Sequence, residues 1–123
     1  MKLKTLPYAF TVCKLADASQ IDLNRDVYFL ARTDEELSLV CRTEDTPAKT
    51  AERDDGWRAF RIEGVLDFSL IGILSKISAI LAENRIGIFA VSTYNTDYIL
   101  TRADQYEKAL AALRRAGYTV ADE

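Results

Sequence analysis

The order of apolar patterns along this chain predicts an α+β fold in which strands and helices follow β-α-β-β-α-β, preceded by a shortened copy of the same plan. Two observations carry that expectation. Over residues 57–121 the apolar period changes from that of a strand to that of a helix and back, twice. In addition, a strand–polar turn–strand segment at 29–45 lies over a second one at 89–104 when shifted by 60 residues.

The second half reads element by element. "WRAFRIE" (57–63) alternates, with Phe60 and Ile62 on one side, and reads as a strand leading into the loop "GVLDFS". From Leu70 onward, Ile73, Leu74, Ile77, Ile80 and Leu81 repeat at the spacing of one helical face, and Asn84-Arg85 end that helix. "IGIFAVSTY" (86–94) is apolar on both alternating faces, with Ile88 and Ala90 on one and Phe89 and Val91 on the other. Tyr98-Ile99-Leu100-Thr101 is the return strand. Asp104 then opens a helix as N-cap, with Glu107 completing a capping box. Tyr106, Ala109, Leu110 and Leu113 make its buried face, Gly117 stops it at C′, and "YTVA" (118–121) is the last strand. This is the split arrangement of the ferredoxin-like fold.

In the first half the 60-residue shift sets Phe29 on Phe89, Thr33 on Thr93, Leu39-Val40 on Ile99-Leu100, and Arg42 on Arg102. The front strand of this copy is expected within 6–15, and "ADASQIDLNR" leaves room for one short helix. Residues 43–56 hold seven charged residues and little to bury, so they read as a polar linker; a short surface helix capped at Thr46-Pro47 is the alternative. The chain therefore divides into 1–56, a truncated unit with linker 43–56, and 57–123, a complete one. A strand apolar on both faces and thin helical cover in the first copy point to a homodimer.

Composition narrows function by exclusion. A net charge of −3 offers no electrostatic footprint for nucleic acid or anionic membranes. Thr5, Pro7, Thr11 and Lys14 interrupt any signal-peptide core, and no later run is long enough to span a bilayer, so a cytoplasmic protein is expected. With no histidine the usual general base is missing, and no glycine-rich phosphate loop replaces it. Cys13 and Cys41 without histidine make a poor zinc site and are expected reduced and buried, a disulfide being the alternative if their strands are neighbours. No catalytic residue, metal or cofactor is expected, and an enzyme on this sheet is disfavoured.

The stretch "EGVLDFSLIGILSKISAILAENRIGIFAVSTYNTDYILT", followed by a capped helix and a closing strand, resembles the ACT domain. It is most similar to the tandem ACT proteins related to aspartate kinase regulatory regions and to the arginine-sensing CASTOR proteins. "ELSLVC" in the first half is similar to a truncated companion ACT unit. The resemblance implies a non-catalytic regulatory module that binds an amino acid or similar small ligand where two ACT units meet, acting on an enzyme. Carried over by position, it places the site on the loop Leu66, Asp67, Phe68, Ser69 and Leu70 with Ile71, Gly72 and Ile73, and on the following strand. Many amino-acid-binding members have proline just before the glycine; here that position is Ile71.

The residues themselves suit a zwitterion. A helix N-terminus presents free N–H groups to a carboxylate, Gly72 has no side chain to block approach, and Asp67 can pair with an ammonium group. The structural alternatives are close helix–strand packing at Gly72 and simple capping by Asp67 or Ser69. In "STYNTDYIL", Asn95, Thr96 and Asp97 read as turn residues, while Ser92 and Thr93 can offer hydroxyls to the ligand. The competing function is a dimerisation or protein-interaction module with a vestigial pocket.

Overall fold

The computed structural model describes residues 1–64 and 72–122. In chain order it contains β1 (Lys2–Thr5), β2 (Phe10–Leu15), β3 (Tyr28–Arg32), β4 (Leu37–Arg42) and a 3-10 turn at Thr43–Asp45. There follow β5 (Glu52–Ile62), α1 (Ile73–Glu83), β6 (Ile88–Ser92), β7 (Asp97–Arg102), a 3-10 turn at Ala103–Gln105, α2 (Tyr106–Arg115) and β8 (Thr119–Asp122). Two compact units result: Tyr8–Trp57, and a second made of Met1–Pro7 with Arg58–Glu123.

In the second unit the order β5-α1-β6-β7-α2-β8 is the expected β-α-β-β-α-β. One strand was not expected. β1 runs antiparallel to β5 (Leu3↔Ile62, Thr5↔Phe60) and parallel to β8 (Leu3↔Val120), so it separates them. With β7 pairing both β5 and β6, the strand order is β8-β1-β5-β7-β6. The physical reason is burial: Leu3 is 0% exposed and joins Phe60 and Ile62 in the core, while Lys2 and Lys4 on the opposite face pair with Glu63. Both helices close the Leu3 face. Ile77 and Leu81 of α1 pack with Tyr106, Ala109, Leu110 and Leu113 of α2 in one apolar cluster.

Helix ends mix agreement with correction. α1 stops where expected, at Asn84, followed by Arg85 in the left-handed region (φ 60). α2 ends at Gly117 (φ 101), whose neighbour Tyr118 donates its N–H to the Leu113 carbonyl as in a Schellman motif. The capping box at Asp104 does not form. The chain enters α2 through the 3-10 turn, the N-cap is Gln105, and no side chain caps it.

The Tyr8–Trp57 unit pairs its strands in the order β3-β4-β2-β5. Cys13, Leu15, Leu37, Leu39 and Cys41 form its core, with Ile21 and Tyr28 packed against it. No helix forms in residues 16–25; turns held by Asp17 and Asp22 side chains take its place. The polar 43–56 stretch is not wholly linker, because β5 begins at Glu52 and its first part pairs with β2 (Lys14↔Glu52, Val12↔Asp54). Its side chains are exposed there, so a backbone ladder forms without any apolar signal in the sequence. β2 and β4 are neighbours, but Thr11↔Cys41 and Cys13↔Leu39 set the two cysteines two register positions apart, and both are free thiols. Burial, and next the charge of Cys41, push Cys13 up to about 11, so it stays protonated and unreactive at neutral pH.

The 60-residue repeat holds at the level of elements. Adding 60 to the bounds of β3, β4 and the first 3-10 turn gives those of β6, β7 and the second.

Candidate functional site

Leu66, Asp67, Phe68, Ser69, Leu70 and Ile71 lie outside the described residues. Gly72 is described, and it is not inside the helix but at its N-cap, in the left-handed conformation (φ 81). A Cβ built on it meets nothing within 4 Å. Among the described residues no close packing explains the glycine, whereas its positive φ does. Among the described residues no side chain caps α1, and no acid occupies its first turn. Ile73, the first helical residue, is half-buried against the core cluster.

Ser92 and Thr93 lie where β6 turns into β7, and their hydroxyls are engaged locally. Ser92 Oγ donates to Asp97 Oδ1 at 2.6 Å. Thr93 Oγ1 donates to the Thr96 carbonyl at 2.9 Å and accepts from Thr96 N–H at 3.3 Å, while Thr93 N–H reaches the same carbonyl. The repeat provides an internal comparison. Thr33 makes the same three contacts with Glu36 across the β3–β4 turn. A threonine clasp is thus a property of both hairpins. Thr96 adds a buried anchor, donating its hydroxyl to the Ile62 carbonyl at 2.8 Å. Asn95 and Thr96 lie in the turn, as their types suggest, whereas Asp97 is already the first residue of β7, paired with Ser92.

Elsewhere polar groups serve structure. Thr43, Thr11 and Asp55 form a hydrogen-bonded chain whose carboxylate also accepts from Arg53 Nε, and Arg53 and then Thr11 hold Asp55 below its usual range. Among the described residues, no group of three His, Cys, Asp or Glu side chains is placed to hold a metal. No described helix is long and apolar enough to cross a membrane. Among the described residues, a space of about 270 Å3 lined by Met1, Ile73, Lys76, Ala116, Gly117 and Tyr118 escaped sequence reasoning. Its elements are far apart in sequence, and the one signal was Lys76, a cation at the helix end where dipoles favour anions.

Comparison with known proteins agrees with this architecture. A family model described as the ACT domain matches residues 52–115. The crystal structure of an Agobacterium tumefaciens protein is 33% identical, with a TM-score of 0.87 over 99% of this chain and 92% of its own. A Vibrio cholerae protein is similar at 20% identity and a TM-score of 0.73, covering 93% of this chain and 88% of that one. The ligand-free regulatory subunit of aspartate kinase from Thermus thermophilus follows at 10% identity and 0.64, with coverage of 94% and 96%. These last two likenesses speak to fold alone. None of the curated proteins matches the sequence. The family model covers more than half of the chain and the topology agrees with it: the chain belongs to the ACT domain family.

Proposed function

We propose that this protein is a non-catalytic regulatory module that binds a free amino acid, or a similar small zwitterion, at a junction between ACT units. The observation that carries the reading is the start of α1: a left-handed glycine, no side-chain cap and no acid in the first turn leave a helix N-terminus suited to a carboxylate. Residues 66–73 supply the rest of the site, with Asp67 as partner for the ammonium group, and Ser92 and Thr93 border it. The likeness to an aspartate kinase regulatory subunit supports regulation of an enzyme rather than catalysis. We place the protein in the cytoplasm as a homodimer. β6 supports the dimer, since it pairs only with β7 among the described strands and "IFAVS" carries no charge to guard its free edge.

A thermal-shift screen of the twenty amino acids tests the reading, because a ligand selective for the native state raises its stability. With the ligand found, calorimetry on Asp67→Asn should show about a tenfold or greater loss, the scale of one charge-assisted hydrogen bond. A second reading, an interaction module with a vestigial pocket, is favoured by the hairpin hydroxyls already engaged at Ser92 and Thr93. A screen in which no amino acid shifts the melting temperature decides for it.

A further inference from the structure

The cavity of about 270 Å3 lies between the beginning of α1 and the turn joining α2 to β8, wholly within the Met1–Pro7 and Arg58–Glu123 unit. Its size is just below that of ordinary small-molecule pockets, roughly 300–1,000 Å3. Two of its walls are rigid, because Ile73 and Tyr118 are half-buried and packed on the core cluster. A third side is open because Gly117 has no side chain, and a Cβ built there meets nothing within 4 Å. Among the described residues Lys76 is the only charged side chain in the lining, and its ammonium has no ion-pair partner there. Arg114 and Arg115, exposed in the last turn of α2, precede the same turn.

The plain account of each group is structural. Exposed lysines are commonly solvated, and arginines at a helix C-terminus complement its dipole. What points to a ligand is convergence, since a lysine with no ion-pair partner among the described residues, a tyrosine and an apolar isoleucine line one space in a protein of net charge −3. We propose that this cavity binds a small organic acid, with one carboxylate on the Lys76 ammonium and an apolar or aromatic body against Ile73 and Tyr118. Among the described residues no acidic side chain lines it, so these residues offer nothing to an ammonium group and favour an anion over a zwitterion. The cavity shares Ile73 with the amino-acid site proposed above, but Met1, Lys76, Ala116, Gly117 and Tyr118 lie outside that site, so a response at 116–118 and at Lys76→Gln tells the two apart.

Amide chemical shifts during titration with phenylacetate test this directly. Phenylacetate should move the amides of 73–76 and 116–118 while leaving those of 33–36 and 93–96 in place. Lys76→Gln should weaken it about tenfold or more, the scale of a lost charge-assisted contact, with an unchanged spectrum in the absence of ligand. Phenylacetamide, equal in shape but neutral, should move none of them. The proposal is overturned if phenylacetate leaves 73–76 and 116–118 unmoved, or if Lys76→Gln titrates like the parent. Inorganic phosphate moving these amides where phenylacetate does not would equally overturn it, showing an anion patch without an organic-acid pocket.

Discussion

Thr33 and Thr93 show how a single side chain can be read two ways. From sequence, a threonine after an apolar strand offers a hydroxyl to a ligand or to its own turn, and nothing local separates these. The repeat separates them, because both threonines close their hairpins with the same bonds. Thr33→Val and Thr93→Val should each lower stability by about 0.5–1.5 kcal/mol in urea unfolding. A Thr93→Val protein as stable as the parent, yet deaf to amino acids, would give that hydroxyl to the ligand instead. Tyr106 makes a second residue-scale claim. Its buried hydroxyl donates to the Ala59 carbonyl at 2.6 Å, and burial pushes its pKa up to about 12. A phenol with its pKa raised by folding gives stability that is complete below the ordinary value of 10.0 and lost as pH rises toward about 12. Tyr106→Phe should remove that alkaline loss, as melting temperatures between pH 9 and 12 will show. Gly72 adds a third. Because its φ is 81, Gly72→Ala should cost about 1–2 kcal/mol by left-handed strain even without a clash.

Elements were legible where their side chains face a core and hidden where only backbone pairs. The faces of α1 and α2, both return strands and the glycine stop after α2 follow from apolar spacing. β1 is four residues long and alternates lysine with Leu3 and Thr5, which reads as a basic lead-in until Leu3 is seen against Ile62. The beginning of β5 is charged throughout, yet its amides and carbonyls join β2. Hydrogen exchange should therefore find slow amides in 52–57 and fast ones in 47–50; equal, fast exchange across both would return the segment to linker. The capping box misled because a 3-10 turn shifts the start of α2 past Asp104. The loop before α1 was read through family resemblance, since its spacing alone distinguishes a ligand loop from a connection no better than composition does. Leu3→Ala, which empties a core position shared by β1 and β5, should cost about 2–5 kcal/mol.

For the whole molecule, light scattering at micromolar concentration should give about twice 13.8 kDa, as a two-fold dimer requires; a monomer throughout would leave the β6 edge free. Acid should weaken the fold through two surface carboxylates. Hydrogen bonds from Arg53 hold Asp55, and those from Lys2 hold Glu63, below their ordinary values of 3.8 and 4.5. Their stabilisation is present above those values and fades as pH falls beneath them, and Asp55→Asn should flatten that limb. The position of β1 reaches further, into how the molecule comes into being. Residues 2–5 leave the ribosome more than a hundred residues before their parallel neighbour, 119–122. Tyr8–Trp57 holds all its own partners in one uninterrupted segment and can close while synthesis continues. Its companion must wait, with Leu3 unsheltered, until the last strand arrives. A fragment beginning at 58 would never receive β1 and would leave β5 and β8 with open edges, so the stretch that sequence marks as the self-sufficient domain depends for its closure on residues 2–5.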